Sequence, residues 1–295
     1  MDKLESIGTL YIVPTPIGNL NDLSNRIIQT LSDVDIIAAE DTRNTLFLLN
    51  YLSITQKLVS YHKFNETAKS SYLIQQLLLG KNVAVVSDAG TPCISDPGYI
   101  IVREAVQNNI NIVGICGPCA AITALSISGF DTSLFAFWGF LPRKEQEIKA
   151  KFNQAIYSKI NVGVFYESPK RIKDTMRIVA REYPEIAICL CNDLTKKYEK
   201  IYRGNSEYVL RCIEENEFSD KGEYSLVVDF TSAQKIDENN SSQGVHHLEA
   251  ILLDYILDNN CSIKDAIKNL SKHGSYKRND LYNASLKLKS LSQDL

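Results

Sequence analysis

The stretch that most limits how this chain can fold is VAVVSDAGTPCISDPG, residues 83–98. Its apolar run Val83–Val86 has the composition of a strand that is buried on both faces. The loop that follows holds two acids, two glycines and two prolines. The glycines permit backbone angles closed to other residues, and the prolines fix φ and remove a donor. Such a stiff, carboxylate-bearing turn could hold a small polar ligand, or it could be an ordinary tight connection between a strand and a helix.

Strands and helices alternate with short loops before and after this stretch. In the first part of the chain this pattern predicts an open parallel sheet covered by helices. Later strands alternate less regularly with helices, which predicts a mixed sheet. The polar run SAQKIDENNSSQG has the composition of a linker, and three short helices are predicted beyond it. The predicted organisation is an N-terminal α/β domain (1–118), a second α/β domain completing the cleft (119–231), a linker (232–244) and a small helical domain (245–295).

Three observations favour a cytoplasmic protein without a membrane span. The N-terminus MDKLES lacks the basic region and apolar run of a signal peptide. The uncharged segment 105–130 contains asparagines, glycines and a proline, which favour a strand–turn–helix over a transmembrane helix. The seven cysteines are odd in number, so we expect reduced thiols that act as small hydrophobes.

Polar residues or residues with special backbone geometry follow each predicted strand of the first domain. In open α/β sheets the carboxyl ends of the strands form the edge where ligands bind. Ordinary turn chemistry explains any one of these loops, but it explains the whole set poorly. The loops are Pro14–Asn19, Glu40–Arg43, His62, Asp88–Pro97 and Gly117–Cys119.

Other ligand classes have little support in the sequence. No Gly-x-Gly-x-x-Gly follows the first strand, and Gly80-Lys81 runs into Asn82 rather than into Ser or Thr. Cys189 and Cys191 are expected to point to opposite faces of a strand, so we predict no metal site. The run Cys116–Cys119 (CGPC) spells a dithiol redox motif. In redox proteins with this motif a Thr-Pro loop follows it in the sequence, whereas the Thr-Pro pair here precedes it, at residues 91–92. This order argues against a redox function.

The charge of the chain is unevenly distributed. Its net charge is −3, which argues against a protein that coats nucleic acid. Residues 141–181 nevertheless hold ten Lys or Arg against four Asp or Glu, and residues 264–289 hold seven against two. A solvated surface explains either cluster alone. Two basic segments on an otherwise acidic protein favour a localised contact with phosphates.

Taken together, these motifs resemble the tetrapyrrole methylase superfamily, whose two-domain members bind S-adenosylmethionine between their domains. The resemblance is strongest to the members that methylate the ribose 2′-hydroxyl of a cytidine in the decoding region of small-subunit (16S) ribosomal RNA. It implies an rRNA (cytidine-2′-O-)-methyltransferase that acts as a homodimer. The matching stretches are Leu10–Asn19, Ala38–Arg43 (AAEDTR), Val86–Gly98, Gly117–Leu125, Gly139–Pro142, Phe165–Arg171 (FYESPKR), Leu194–Lys196 and Lys221–Glu223, with Lys277–Tyr282 in a helical appendage.

The resemblance also implies which residues form the site. Two departures from the superfamily pattern are Asn192-Asp193, where Arg-Glu is usual, and Lys170, where a histidine is frequent. The implied cofactor contacts are Ala89, Gly90, Thr91, Ile94, Cys119, Ala120, Tyr166, Glu167 and Leu194. The candidate catalytic residues are Asp88, Glu167, Arg43, Glu40 and Asp41, with Asp88 or Glu167 as the acceptor of the hydroxyl proton. The candidate RNA contacts are Arg43, Lys170, Arg171, Lys196, Lys277 and Arg278.

Two alternatives remain open at this point. One is a methylase of the same superfamily that acts on a porphyrin-like ring, and the other is a non-catalytic RNA-binding assembly factor. The two basic segments and the C-terminal helices favour RNA over a tetrapyrrole. Carboxylates at the strand ends favour an enzyme over a scaffold, because methyl transfer needs alignment and removal of a hydroxyl proton.

Overall fold

The fold was analysed in a computed structural model of the chain. The structure describes residues 7–234, 248–259, 261–272, 276 and 278–291. By its contacts the chain divides into two compact units, Met1–Ser232 and Ala233–Leu295. The predicted linker 232–244 falls largely outside the described residues, and so does Lys277. The predicted domain limits stay a prediction.

The first sheet is parallel and has five strands in the order β3-β2-β4-β1-β5. Alternate residues of its central strands belong to two different hydrophobic cores: Val83 and Val85 pack into one, and Ala84 and Val86 into the other. Helices therefore cover both faces, which explains the continuous apolar runs. The strands are β1 (Thr9–Ile12), β2 (Ile36–Ala39), β3 (Lys57–Ser60), β4 (Val83–Val86) and β5 (Asn111–Gly114).

Five α-helices accompany this sheet in the described residues. Ser24 caps the first helix by accepting a hydrogen bond from the Ile27 N–H. Asp41 caps the second in the same way, through the Arg43 N–H. The helices are α1 (Asn25–Asp33), α2 (Thr42–Tyr51), α3 (Glu66–Leu78), α4 (Tyr99–Gln107) and α5 (Ala120–Ser126).

The second sheet is mixed and has the order β6-β7-β10-β8-β9. β6 runs parallel to β7, whereas β10 is antiparallel to both of its neighbours and β8 is antiparallel to β9. Its strands are β6 (Phe135–Phe140), β7 (Val162–Glu167), β8 (Ala187–Asn192), β9 (Lys200–Asn205) and β10 (Tyr224–Asp229). Its helices are α6 (Glu145–Tyr157), α7 (Ile172–Glu182) and α8 (Ser206–Glu215).

The C-terminal unit is helical. Its described residues form α9 (Leu248–Asn259), α10 (Ile263–Lys272) and α11 (Arg278–Leu291). They enclose a small apolar core that includes Leu252 and Leu281, both fully buried. The fold class predicted from the sequence, a parallel sheet, a mixed sheet and a helical appendage, is confirmed.

One local prediction is also confirmed, and another is wrong. The uncharged segment 105–130 contains the end of α4, all of β5 and α5, and no described helix is long and apolar enough to cross a membrane. The expectation that Cys189 and Cys191 face opposite sides of a strand is wrong. Alternate residues of a strand share a face, and the two sulfur atoms lie 3.8 Å apart in one core. Even so, no cluster of three or more metal-ligating side chains occurs among the described residues.

Candidate cofactor cleft

Two loops at the carboxyl edge of the first sheet are tied together through carboxylates. The strands β2 and β4 are adjacent, so Glu40 and Asp88, which follow them, lie side by side. The backbone N–H of Asp88 donates to a Glu40 carboxylate oxygen at 3.4 Å. In return, the backbone N–H of Asp41 donates to the Asp88 Oδ1 at 3.0 Å. The carboxylates that the sequence placed at two strand ends therefore form one connected group.

The loop after β4 has an unusual backbone. Gly90 and Gly98 have φ values of +83° and +139°, and Cys93 and Ser95 have φ values of +70° and +72° despite their side chains. Backbone strain of this kind concentrates at ligand sites and persists only where the surrounding structure holds it. A Cβ on Gly98 would lie 2.4 Å from the Cys93 Sγ, so this position requires glycine.

Glu66, at the start of α3, holds the far end of this loop. Its Oε1 accepts hydrogen bonds from the N–H groups of Gly98 at 2.8 Å and Ile100 at 3.2 Å. The buried Tyr61 hydroxyl donates to the same oxygen at 3.1 Å. At the near end, the Thr91 hydroxyl donates to the Pro118 carbonyl at 2.9 Å. The loop is thus fixed on both sides by residues that are distant in sequence.

The second sheet contributes Tyr166 and Glu167 from the end of β7. The Tyr166 hydroxyl accepts a hydrogen bond from the Ala121 N–H at 3.0 Å, which joins β7 to the first turn of α5. Burial raises the pKa of Tyr166 to about 12, so this hydroxyl stays protonated at neutral pH. Its ring packs edge-on against Phe137 and Phe140 of β6.

A further wall is built by the turn that contains Leu194. Asp193 and Thr195 both have positive φ, and the Asn19 N–H donates to the Thr195 hydroxyl at 3.1 Å. A Cβ on Gly18 would lie 2.5 Å from the Lys196 Cγ, so the first-sheet loop approaches this turn closely. Gly222 has a φ of +82°, and a Cβ there would lie 2.2 Å from an Asp193 carboxylate oxygen. Gly18 and Gly222 therefore allow the segments that carry them to pack closely against the turn at residues 193–196.

These elements enclose a cleft of about 530 Å³. Apolar side chains such as Ile17, Ile94 and Leu194 form part of its lining. Five carboxylates also line it, and no Lys, Arg or His among the described residues does so: the acids are Glu40, Asp88, Asp96, Glu167 and Glu223. A cleft with this charge favours a ligand that carries positive charge.

The structure brings all nine predicted cofactor contacts into the lining of this one cleft. Among the predicted catalytic residues, Asp88, Glu40 and Glu167 line it as well, whereas Asp41 and Arg43 do not. Arg43 lies just beyond Glu40 with 88% of its side chain exposed, and its guanidinium pairs with Asp41. That hydrogen-bonded pairing lowers the pKa of Asp41 to about 2. Asp41 therefore caps α2 and orients Arg43.

The Glu167 carboxylate, predicted as a possible proton acceptor, is held by several donors of the protein. Its side chain has no exposed surface, and Oε1 accepts from the Ser168 N–H at 2.7 Å. Its Oε2 accepts from Arg171 at 2.9 Å and from the Thr175 hydroxyl at 2.7 Å. Burial raises the pKa of Glu167, although these donors oppose the shift. With both oxygens engaged by donors of the protein, Glu167 shapes the wall of the cleft, and it would have to give up these bonds to take a proton.

Two predicted RNA contacts are also engaged within the protein. The Arg171 guanidinium donates to Glu167 and to the carbonyls of Leu141 and Pro142. The Lys196 ammonium donates to Asp193 at 2.8 Å and to Glu223 at 2.9 Å. Both cations neutralise acids of the cleft wall and hold loops, so neither is free for an RNA phosphate in this structure.

The remaining predicted RNA contacts lie in different parts of the molecule. Lys170 is exposed and directly follows Pro169, a lining residue. Arg278 is exposed in the C-terminal unit. Much of the positive charge of residues 141–181 is paired on the surface, for example Lys149 and Arg181 with Glu145 and Glu182. The local excess of charge therefore overstates how much of it is available to RNA.

Sequence reasoning missed several residues of the lining, and Asp96 is the most important of them. Burial, together with repulsion from Glu40 and Asp88, raises the pKa of Asp96 to about 7. The second acid of the motif SDAGTPCISDPG was visible in the sequence, but its proximity to Glu40 was not. The other lining residues that were missed are Ile17, Ser95, Phe140, Ser168, Pro169, Gly222, Glu223, Tyr224 and Ser225.

The class of protein follows from this geometry and from comparison with known folds. The family model described as Tetrapyrrole (Corrin/Porphyrin) Methylases matches residues 9–209. A solved diphthine synthase matches with a TM-score of 0.58 at 12% identity, covering 75% of this chain and 90% of that one. Uroporphyrin-III-C-methyltransferase from Thermus thermophilus matches with a TM-score of 0.50 at 19% identity, covering 76% and 94%. At these identities the two structures share the fold alone.

Curated relatives define a narrower group. A protein of Buchnera aphidicola subsp. Schizaphis graminum is 38% identical over 98% of this chain and 99% of its own length. One of Halalkalibacterium halodurans is 39% identical over 94% of each chain, and one of Escherichia coli O157:H7 is 43% identical over 79% and 81%. All three are named ribosomal RNA small subunit methyltransferase I. The chain belongs to the tetrapyrrole methylase family and, within it, to the ribosomal RNA small subunit methyltransferase I family.

Members of this family use S-adenosylmethionine, and the cleft fits that molecule. The cofactor carries a sulfonium and an ammonium, and the described residues of the lining include five carboxylates and no Lys, Arg or His. The apolar side chains and the volume of the cleft are typical of a site for a small organic molecule. The residues present are therefore suited to hold the cofactor. The strained loop after β4 lines the cleft as well, so its backbone groups are available for hydrogen bonds to the cofactor.

Proposed function

We propose that this protein is an S-adenosylmethionine-dependent methyltransferase that modifies the ribose 2′-hydroxyl of a cytidine in the decoding region of small-subunit (16S) ribosomal RNA. The observation that carries the proposal is the acidic cleft, whose lining includes all nine residues expected to contact the cofactor. Relatives that match nearly the whole chain and are named ribosomal RNA small subunit methyltransferase I support RNA as the substrate.

The residues of the cleft have three tasks in this reaction. Residues 89–94, with Cys119, Ala120, Tyr166 and Leu194, hold and orient the methyl donor. When bound, that donor supplies an electrophilic methyl group on a sulfonium. A carboxylate of the lining must take the hydroxyl proton, because an alcohol is a weak nucleophile until the proton leaves. Glu40, Asp88 and Asp96 are the acids of the lining that could do so, since Glu167 is enclosed and Glu223 is paired.

RNA contact is proposed for the exposed cations nearest in sequence to the lining. Arg43 follows Glu40 by three residues and is 88% exposed, and Lys170 directly follows Pro169. We propose that Lys277 and Arg278 in the C-terminal unit form a second contact with RNA. We also carry forward the expectations that the protein is cytoplasmic and acts as a homodimer.

The proposal is tested by incubating the protein with S-adenosylmethionine that carries a labelled methyl group. The acceptors are assembled small subunits, naked small-subunit RNA and a porphyrin-type ring, each in a separate reaction. We expect label in one of the two RNA samples. We also expect the labelled nucleotide to be a cytidine whose 3′-phosphodiester resists alkali, because a 2′-O-methyl group blocks the attack that cleaves RNA.

The other outcomes have definite meanings. Label in the ring and not in RNA would make the protein a tetrapyrrole methylase, and label in neither, with RNA binding intact, would make it an assembly factor. Label on an RNA base would keep the RNA methyltransferase and contradict the ribose assignment. Comparison of the two RNA samples also identifies whether the enzyme requires the assembled subunit.

A further inference from the structure

The carboxylates that line the cleft differ in how many donors already occupy them. Glu167 has both oxygens engaged, and Glu223 is paired with Lys196. Asp88 accepts from the Asp41 N–H, and Glu40 accepts from the Asp88 N–H. A donor that already occupies a carboxylate lowers its basicity, although for Glu40 burial outweighs the long bond from Asp88 and raises the pKa.

Asp96 differs from these acids because no backbone N–H among the described residues is recorded as a donor to its carboxylate. Within the described part of the chain, its carboxylate meets one hydrogen-bonding group, the Ser87 hydroxyl, and no cation favours its charged form. That hydroxyl donates to the Gly90 carbonyl at 3.2 Å, so its proton is shared. Asp96 thus lines the cleft with oxygens that remain available to a ligand.

The backbone on both sides of Asp96 is strained and anchored by hydrogen bonds. Ser95 immediately before it and Cys93 have positive φ, and Gly98 two residues later has a φ of +139°. Glu66 fixes the loop through the Gly98 and Ile100 N–H groups, and the Cys93 N–H donates to the Pro97 carbonyl at 3.3 Å. A strained loop that is anchored at both ends is a feature of sites that need a fixed side chain.

From this geometry we propose that Asp96 is the group that accepts the proton of the ribose 2′-hydroxyl during methyl transfer, an inference that rests on the proposed function. The hydroxyl oxygen forms a bond to the methyl carbon, and the carbon–sulfur bond breaks with its electron pair remaining on sulfur. The O–H bond breaks, and its proton moves to an Asp96 carboxylate oxygen. Sulfonium and carboxylate are consumed together, and the products are a thioether, an ether and a carboxylic acid.

The groups that face Asp96 raise its pKa into the range that suits a proton acceptor at neutral pH. Glu40 after β2 and Asp88 after β4 repel its negative charge, and burial adds to their effect. Cys93 on its own loop and Tyr166 from β7 also feel the Asp96 charge, and both are neutral at pH 7, because burial raises their pKa to about 11 and about 12. With its pKa near 7, Asp96 is both partly deprotonated at neutral pH and basic enough to take a proton.

The first test compares single-turnover methyl transfer to RNA by four variants under saturating S-adenosylmethionine. We expect Asp96→Asn to slow transfer by at least ~100-fold, and Asp88→Asn to slow it by a smaller factor. Asp96→Glu, which keeps the carboxylate, should recover part of the rate. Glu185→Gln, an exposed acid just before β8, is the control and should transfer at the wild-type rate. The dissociation constant of S-adenosylmethionine is measured for each variant, so that a binding defect is separated from a chemical one.

The second test follows the proton directly. In cofactor-free protein labelled with [13C]aspartate, the carboxyl signal absent from Asp96→Asn should titrate with a midpoint near pH 7. The wild-type transfer rate should fall about tenfold per pH unit below that midpoint, and the residual rate of Asp96→Asn should lose this dependence.

The outcomes distinguish this inference from the proposed function. If wild-type protein transfers no methyl group to RNA, the proposed function fails and the inference falls with it. If wild-type protein transfers normally while Asp96→Asn stays within about tenfold of it, Asp96 is not the acceptor and the function stands. A titration midpoint below about pH 5, or a rate that does not change between about pH 5.5 and 8.5, would likewise overturn the assignment to Asp96.

Discussion

At the scale of single residues, two adjacent cations have opposite roles. Lys170 is exposed and has no partner among the hydrogen bonds and ion pairs of the described residues, whereas Arg171 holds the enclosed carboxylate of Glu167 and two backbone carbonyls. The sequence FYESPKR predicted RNA contact for both. It could not separate them, because the partner carbonyls of Arg171 lie about thirty residues away at Leu141 and Pro142.

Replacement of these two cations should therefore have different consequences. Arg171→Ala should lower the free energy of unfolding by about 3–5 kcal/mol, because it leaves a buried carboxylate without its cation. Lys170→Ala should change that free energy by no more than about 0.5 kcal/mol and should weaken RNA binding. Urea unfolding and an RNA-binding titration at fixed salt measure the two effects.

Lys81→Ala serves as the matched control for Lys170. Lys81 is exposed and precedes β4, at the edge of the parallel sheet opposite to the cleft, so its loss should leave RNA binding unchanged. Equal loss of RNA binding in Lys81→Ala and Lys170→Ala would refute the contact at Lys170. An Arg171→Ala protein as stable as wild type would contradict the structural role of that cation.

Asp96 should also make stability depend on pH. Its folded-state pKa of about 7 lies above the ordinary value of 3.8, so it stabilises the fold when protonated and this contribution is lost as the pH rises through about 7. Relative to wild type, Asp96→Asn should gain about 1–2 kcal/mol between pH 4 and pH 8, a value reduced from the full shift because the group is partly exposed to solvent. Urea unfolding of both proteins across this pH range measures the gain, and a constant difference would contradict it.

At the scale of elements, the predicted alternation of strands and helices and the three C-terminal helices are present in the structure. The apolar run Val83–Val86, predicted as a buried strand, coincides with β4, because a continuous run of β-branched and apolar residues marks it clearly. Helix α2 gives no clear periodic signal: Leu46, Phe47 and Tyr51 are 50%, 71% and 58% exposed, so its apolar residues do not form one buried stripe. The prediction for Cys189 and Cys191 was wrong for a different reason. Alternate residues of a strand lie on the same face, whereas the prediction placed these two on opposite faces.

The turn before β10 offers a test at this scale. Gly222→Ala should lower the free energy of unfolding by at least about 1–2 kcal/mol, because its φ is +82° and a Cβ would clash with the Asp193 carboxylate. The variant should also bind S-adenosylmethionine more weakly, since Gly222 and Leu194 both line the cleft. Urea unfolding and calorimetric titration measure these effects.

Gly114→Ala is the appropriate control for this substitution. Gly114 ends β5, and a Cβ there would meet no atom within 4 Å, so the variant should be as stable as wild type and bind the cofactor equally well. If the two alanine variants were equally stable, the close approach of the Gly222 turn to Asp193 would not exist in solution.

At the scale of the whole molecule, the cleft is assembled from segments that lie as far apart in the sequence as Ile17 and Ser225. Sequence motifs at the predicted strand ends identified about half of the residues that line it, because the carboxyl ends of parallel strands meet at one edge. Hydrogen bonds, ion pairs and charge repulsion between side chains of different loops could not be predicted from the sequence. The enclosure of Glu167, the pairing of Lys196 and the electrostatic environment of Asp96 all depend on partners that are brought close by the fold.

The central claim is that the acidic cleft binds the methyl donor, and a calorimetric titration with S-adenosylmethionine tests it most directly. Ala120 begins α5 and lines the cleft, so Ala120→Leu should fill part of the site. Ser126→Leu adds a leucine at an exposed position of the same helix and is the control. We expect wild type and Ser126→Leu to bind one cofactor per chain with the same affinity, and Ala120→Leu to bind at least about tenfold more weakly, a loss of ~1.4 kcal/mol. Equal affinity in all three proteins would place the methyl donor elsewhere and contradict the account.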